Sequence, residues 1–164
     1  MIKVAIVTVS DSAADGTRED VSGPKLRERV DALGWVVSSY RIVPDESDEI
    51  ANILRTLADS EAAALILTTG GTGVALRDVT PEATRTVIER EIPGISEVMR
   101  AEGRKITPFA ALARGLAGVR GQALIVNLPG SPKGAVESLD SIAKLIPHVV
   151  DLLEGRTAHK DVPN

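Results

Sequence analysis

The chain has 164 residues, 43% of them hydrophobic, which is enough for one domain with a buried core and excludes disorder as its organising state. Lys plus Arg number 19 against 23 for Asp plus Glu, a formal net charge of −4, and the single Trp35, Tyr40 and Phe109 bring aromatics to only 2%. That balance argues against a polyanion-binding surface and against base stacking on aromatic platforms, and the absence of cysteine excludes disulfides, thiolate metal sites and a cysteine nucleophile.

Ile2 to Val9 is almost wholly apolar and rich in Val and Ile, the pattern of a central parallel strand buried on both faces. No separate basic segment precedes it and no cleavage site follows, so it reads as a strand and not as a signal peptide. It ends in the small and acidic loop Ser10 to Asp20. Ser22 or Gly23 is then placed to cap a helix with Pro24 in its first turn, Leu26, Val30 and Leu33 on one face and Gly34 at its C-terminal stop. A second strand is predicted over Trp35 to Val43, stopping at Pro44-Asp45, and Ser47 as N-cap starts a helix with Ile50, Ile53, Leu54 and Leu57 on its apolar face.

Ala62 to Leu67 forms the third predicted strand and runs into Thr68-Thr69-Gly70-Gly71-Thr72-Gly73. Helix signals resume with Thr80 as N-cap, Pro81 at the first helical position and Glu82 in the first turn. Helices are expected at about Pro81 to Glu89 and Ile95 to Ala101, parted by Ile92-Pro93-Gly94, and a short one from Thr107-Pro108 through Ala113. Leu116 to Arg120 and Gln122 to Leu128 pair as a hairpin around Gly121, and Pro129 to Gly134 leads into a helix striped by Val136, Leu139, Ile142, Ala143 and Ile146. Pro147 breaks or kinks that helix, and the tail from Gly155, with Arg156, His159, Lys160 and Asp161, has no apolar periodicity and is expected to fray. No apolar stretch approaches the roughly 20 residues of a membrane span, so a soluble, cytoplasmic protein without a membrane partner is expected.

Strand–helix alternation throughout indicates an α/β fold, a three-layer αβα sandwich around a mostly parallel sheet, occupying residues 1–155 as one domain. Ligands bind past the carboxyl ends of such strands. Four loops fall there: Ser10 to Asp20, Pro44-Asp45, Thr68 to Asp78 and Asn127 to Lys133, all rich in Gly, Ser, Thr, Asp or Asn. A strand, a glycine turn and a helix start gather backbone N–H groups that suit an anion. The same glycines equally serve a tight turn, and the loop is neither a dinucleotide fingerprint nor a Walker loop. Asp45 and Asp78 at neighbouring strand ends could share one Mg²⁺ with substrate phosphates, although each also fits an ordinary turn or cap. Lys133 could face an anion or simply be solvated. His148 and His159 have no partner at ligand spacing and no Gly-x-Ser-x-Gly elbow is present, so positioning and charge neutralisation are the mechanisms left.

The run Thr68 to Gly73 followed by Arg77-Asp78-Val79-Thr80-Pro81-Glu82-Ala83 resembles the signature of the molybdenum-cofactor biosynthesis domain family, which includes the bacterial molybdopterin adenylyltransferases and related domains of the plant enzyme and gephyrin. Ser10-Asp11-Ser12, Glu19-Asp20-Val21-Ser22-Gly23-Pro24, Val43-Pro44-Asp45-Glu46 and Asn127-Leu128-Pro129-Gly130-Ser131-Pro132-Lys133-Gly134 extend the resemblance over about residues 1 to 155. It implies transfer of AMP from Mg-ATP to the terminal phosphate of molybdopterin, releasing diphosphate, by a cytoplasmic homotrimer that hands its product to a molybdenum-insertion protein and has no nucleic-acid partner. It further implies that Asp45 and Asp78 are catalytic and hold Mg²⁺, and that Gly70, Gly71, Thr72 and Gly73 cradle the nucleotide phosphates. Asp11, Ser12, Asn127, Gly130, Ser131 and Lys133 would then complete the substrate pocket. Two other readings share these loops: a non-catalytic molybdopterin-binding or trimeric assembly protein, and a nucleotide pyrophosphatase.

Overall fold

Strands β1 (Lys3–Val9), β2 (Val36–Val43), β3 (Leu65–Thr69), β4 (Arg90–Glu91), β5 (Ala117–Arg120) and β6 (Ala123–Leu128) form one sheet in the order β2-β1-β3-β6-β5-β4 in this computed structural model, which describes residues 1–156. β2, β1, β3 and β6 run parallel, and the β5–β6 hairpin turns back around Gly121, whose φ of +54° supplies the left-handed turn. Helices α1 (Asp11–Ala14), α2 (Ser22–Ala32), α3 (Ser47–Asp59), α4 (Thr80–Arg85), α5 (Pro93–Arg104), α6 (Pro132–Ile142) and α7 (Ile146–Leu153), with a 3-10 turn at Pro108–Leu112, complete the chain. The expected α/β sandwich is therefore what the chain forms.

The alternation of each strand separates two cores. Val4 and Ile6 of β1, Leu65 and Leu67 of β3, and Leu124, Val126 and Leu128 of β6 pack under α2, α5, α6 and α7. Ala5, Val7 and Val9, with Ile66 and Ile125, pack under α3 and α4 through Ile50, Leu54 and Ala83. Ile6, Leu67 and Leu124 are fully buried, each contributing about 2 kcal/mol of apolar burial.

Several boundaries differ from the expectations for identifiable reasons. The third strand is Leu65–Thr69 and not Ala62 to Leu67, because pairing with β1 begins at Val4↔Leu65. α4 stops at Arg85, short of Glu89, because the Glu89 N–H donates to the Val119 carbonyl at 2.8 Å and turns the chain onto the sheet edge. Pro93 opens α5 and does not separate two helices, since a proline at the first helical position loses no hydrogen bond. Pro147 likewise sits in the first turn of α7, so the last helical pattern is broken and not kinked.

The expected caps at Ser22, Ser47 and Thr80 are corrected: the cap positions are Val21, Glu46 and Val79, without side-chain cap bonds. Two of the three hydroxyls hold site loops instead. Of the tail expected to fray, Gly155 and Arg156 are described, and the Arg156 guanidinium lies 2.8 Å from Asp151. Residues 157–164, with His159, Lys160 and Asp161, lie outside the described residues.

Candidate active site

All four expected loops emerge from the carboxyl ends of β1, β2, β3 and β6, the adjacent parallel strands. Chain order reverses between β1 and β3, where an α/β sheet opens a crevice. Gly70 follows β3 directly there at φ +103°, and a Cβ on it would collide with the Val9 carbonyl. The Thr80 hydroxyl donates to the Gly70 carbonyl at 2.9 Å and the Thr80 N–H to the Gly71 carbonyl at 3.1 Å, so α4 begins as a clamp on the glycine loop.

The loop carries the two expected carboxylates on its glycines. A Cβ on Gly71 (φ +66°) would sit 3.1 Å from Asp45 Oδ1, and one on Gly73 would sit 2.8 Å from Asp78 Oδ2. Two residues of extended chain span at most about 7 Å, which places both acids along one short stretch of backbone. Among the described residues the N–H groups of Gly71, Thr72 and Gly73 donate to no protein acceptor. Three successive free donors suit a polyphosphate.

Asp45 is anchored by Asp11. The Asp11 N–H donates to Asp45 Oδ2 at 2.9 Å and the Asp45 N–H donates to Asp11 Oδ1 at 3.0 Å. Arg77 in turn grips Asp11 through both carboxylate oxygens at 2.6 and 3.0 Å and reaches Glu46 at 2.8 Å. Its guanidinium holds the Asp11 carboxyl below the usual range, with the Asp45 N–H assisting. Burial pushes the Asp45 carboxyl up, and the charges of Asp11 and Asp78 add to that rise. Asp78 Oδ2 accepts the Ala75 N–H at 2.9 Å, so this acid also folds its own loop.

Thr72, Gly73, Asn127, Gly130 and Ser131 line a cavity of about 370 Å³ between the glycine loop, α5, the 3-10 turn and α6. Met99, Ile106 and Phe109 supply its apolar wall and Ser96 a buried hydroxyl without a partner among the described residues. The carboxylates, Asp11, Ser12, Gly70, Gly71 and Lys133 lie outside this lining. The expected residues thus divide between two compartments, with Gly71 to Gly73 between them.

Within the cavity wall, Asn127 is 1% exposed and its amide is used internally: Oδ1 accepts the Leu116 N–H, and Nδ2 donates to the hydroxyls of Thr68 and Thr84 at 3.0 and 2.9 Å. Ser131 Oγ caps α6 on the Gly134 N–H at 3.1 Å. Gly130 packs backbone to backbone on Gly70, a Cβ on it falling 3.3 Å from the Gly70 Cα. Lys133 is largely solvated beside Glu137, and the Ser12 hydroxyl meets that of Ser10 at 3.2 Å. His148 is exposed on α7.

Two arginines escaped the sequence reading. Arg77 had only its place beside Asp78 as a signal. Arg114 donates to the Gly73 carbonyl and the Asp78 carbonyl, both at 2.7 Å, and to the Glu82 carboxylate, so it ties the glycine loop to α4. Nothing in the Ala113-Arg114-Gly115 stretch distinguishes it from an exposed loop arginine.

Among the described residues no cluster of three or more His, Cys, Asp or Glu is arranged to hold a metal ion. Asp45 and Asp78 remain a pair of hard oxygen donors beside free N–H groups. That set fits Mg²⁺, which takes one or two carboxylates and completes its shell with water and substrate phosphates.

Residues 5–148 match the family described as a probable molybdopterin binding domain. The chain is 42% identical over 156 residues to a molybdopterin adenylyltransferase of Helicobacter pylori, covering 94% of this chain and 89% of that protein. It is 46% identical over 153 residues to the molybdenum cofactor synthesis protein cinnamon of Drosophila melanogaster, but there it spans only 26% of the longer protein. A solved structure of the molybdopterin biosynthesis enzyme MoaB from Thermus thermophilus superposes with a TM-score of 0.89 at 51% identity, covering 94% of this chain and 98% of that one.

Proposed function

Because this chain belongs to the molybdopterin-binding domain family of molybdenum cofactor biosynthesis, we propose that it is a molybdopterin adenylyltransferase, with the activity carried by residues 1–155 as one unit. It transfers AMP from Mg-ATP to the terminal phosphate of molybdopterin. A phosphate oxygen of molybdopterin forms a bond to the α-phosphorus of ATP, the α–β phosphoanhydride bond breaks, and diphosphate leaves. The observation that carries this reading is a junction: the glycine loop, with free N–H groups at Gly71 to Gly73, meets two carboxylates and also lines an apolar-walled cavity through Thr72 and Gly73.

The nucleophile is itself a phosphate, already ionised near neutral pH, so no histidine base is needed. Gly71, Thr72 and Gly73 hold the nucleotide phosphates through backbone donors, Gly70, whose own N–H goes to the Leu128 carbonyl, sets the turn that presents them, and Met99, Ile106 and Phe109 give the flat pterin an apolar surface. Asn127, Gly130 and Ser131 border the same space, Asp11 positions Asp45, and Ser12 and Lys133 stand outside the lining. Asp45 and Asp78 would hold Mg²⁺, which when bound supplies neutralisation of the charge that develops on the phosphates. The raised Asp45 carboxyl favours this role, since a bound cation offsets the burial that raises it and relieves the smaller repulsion from Asp11 and Asp78.

The assay is direct: the protein is mixed with molybdopterin, ATP and Mg²⁺ and the adenylylated product and diphosphate are measured. Binding of molybdopterin without AMP transfer would replace the enzyme by a binding or assembly protein. ATP hydrolysis indifferent to molybdopterin would point to a pyrophosphatase.

In the same reading the enzyme works in the cytoplasm as a homotrimer and hands its product to a molybdenum-insertion protein. No helix among the described residues is long and apolar enough to cross a membrane, and the fully exposed Leu76, outside the cavity, leaves apolar surface for a second copy. Sedimentation of the purified chain tests the trimer.

A further inference from the structure

The stretch Glu19-Asp20-Val21-Ser22-Gly23-Pro24 has no role in the chemistry above, yet it is built around the cavity's second loop. Ser22 is 7% exposed, and its hydroxyl donates to the Gly130 carbonyl at 2.6 Å. One residue earlier, the Pro129 carbonyl accepts the Thr69 hydroxyl at 2.7 Å. Two consecutive carbonyls are thus drawn off by hydroxyls from α2 and β3. In a trans peptide the C=O and the following N–H point in opposite directions, and the described chain has no cis bond. The N–H groups of Gly130 and Ser131 are therefore turned away from those tethers, and among the described residues neither donates to a protein acceptor.

Ser22 is itself held in place. Asp20 Oδ1 accepts the Gly23 N–H at 3.2 Å, and Oδ2 accepts the hydroxyls of Thr8, at 2.7 Å, and Tyr40. Gly23 has no room for a side chain, since a Cβ would sit 2.5 Å from Tyr40 Cε2 and 2.8 Å from Thr8 Oγ1. The first turn of α2 is consequently pinned to β1 and β2, and Ser22 is presented to the loop at one fixed height.

We propose that Ser22 is a positioning residue for the second substrate: through the Gly130 carbonyl it sets the 129–131 loop so that the N–H groups of Gly130 and Ser131 face molybdopterin, with Asp20, Tyr40 and Gly23 as its mount. The proposal rests on the reading that this loop borders the molybdopterin pocket. It acts on one substrate only, because the ATP phosphates are assigned to the N–H groups of Gly71 to Gly73.

The test measures molybdopterin binding, the KM for each substrate, kcat and the melting temperature for the wild type, Ser22→Ala and Tyr40→Phe. Ser22→Ala is expected to weaken molybdopterin binding and raise its KM roughly tenfold, the loss of one buried hydrogen bond, with the KM for ATP and kcat changed less than about twofold. Tyr40→Phe, which leaves Thr8 and Gly23 on Asp20, raises the same KM about threefold and serves as the deciding variant if Ser22→Ala does not fold. A lowered melting temperature with unchanged molybdopterin binding and KM makes Ser22 a staple of the fold and overturns the proposal. A wild type that binds no molybdopterin overturns the pocket reading and this proposal with it, whereas equal binding by the wild type and both variants overturns this proposal alone.

Discussion

Asp11 and Asp45 each accept the other's backbone N–H, at 3.0 and 2.9 Å, so two loops that leave different strands share one fixed geometry. Asp11 is the member gripped by Arg77, which leaves Asp45 Oδ1 directed at the glycine loop beside Gly71. This asymmetry ties Asp11 into the scaffold and leaves an Asp45 oxygen facing the glycine loop.

Asp78→Asn removes half of the carboxylate pair while preserving the oxygen that folds the Ala75 turn. Turnover is expected to fall on the order of a hundredfold, with molybdopterin affinity within about threefold of wild type. Rapid-quench kinetics together with equilibrium binding measure both. Equal losses in rate and binding would make Asp78 a purely structural aspartate.

Asp45→Asn separates function from stability. The Asp45 carboxyl is raised above its ordinary value of 3.8, so its ionised form costs the native state stability at neutral pH, and that cost is relieved as pH falls through the raised value. The variant should lose activity yet melt about 2 °C higher near pH 7, with the gain vanishing under acid conditions. In the metal-free wild type the Asp45 carboxyl should titrate above the ordinary carboxylate range, and added Mg²⁺ should draw it back down.

Arg77→Ala releases Asp11. Because Arg77 and Asp11 are both substantially exposed, little global stability is at stake. The Mg²⁺ concentration for half-maximal rate is expected to rise about fivefold, with an almost unchanged melting curve. Asp11 is held below 3.8, so its contribution is complete above about pH 4 and is lost as pH falls through the lowered value. The variant and wild type should therefore converge in acid denaturation profiles. An unchanged Mg²⁺ dependence would separate Arg77 from the positioning of Asp45.

Gly70→Ala places a methyl group against the Val9 carbonyl at a φ of +103°, which L residues rarely adopt. A loss of about 3 kcal/mol in urea unfolding is expected, because neither the loop nor the end of β1 can yield without breaking the β1–β3 pairing.

Tyr40 is the chain's only tyrosine, so its ionisation can be followed by absorbance without ambiguity. Burial and the Asp20 carboxylate push its hydroxyl up to about 12. A titration in the native protein near the unperturbed 10 would mean that the Asp20 mount is open in solution. Since the raised value favours the protonated native state, its stabilisation is full below pH 10 and lost as pH rises toward 12.

The buried strands, the chain order of the longer elements and the four loops at the carboxyl edge were legible in the sequence, because apolar runs of strand length, glycines at stops and prolines at helix starts are local signals, whereas the one-turn α1 and the two-residue β4 left no such signal. Local signals also misled. Ser22 and Thr80 look like caps, since a hydroxyl before a helix usually bonds the nearest free N–H. In the fold each finds a carbonyl on another loop, Gly130 and Gly70, and the helices begin at these residues without a side-chain cap. Arg114 carries no pattern at all and Arg77 only its place in the run before Asp78, as their partners come from elements that only folding brings together.

By itself, then, the sequence determined the layered α/β architecture and which loops converge, because strand burial and connection length leave few ways to stack these elements. Only the tertiary structure decided how the site is divided. Whether Asn127 is a ligand or a brace, whether Lys133 enters the cavity, and which of Asp11 and Asp45 is free for a substrate all depend on distances between strands far apart in sequence. The gap between β1 and β3 is narrow enough that only glycine fits at position 70, and that close approach sets the loop against its carboxylates on one side and its cavity on the other.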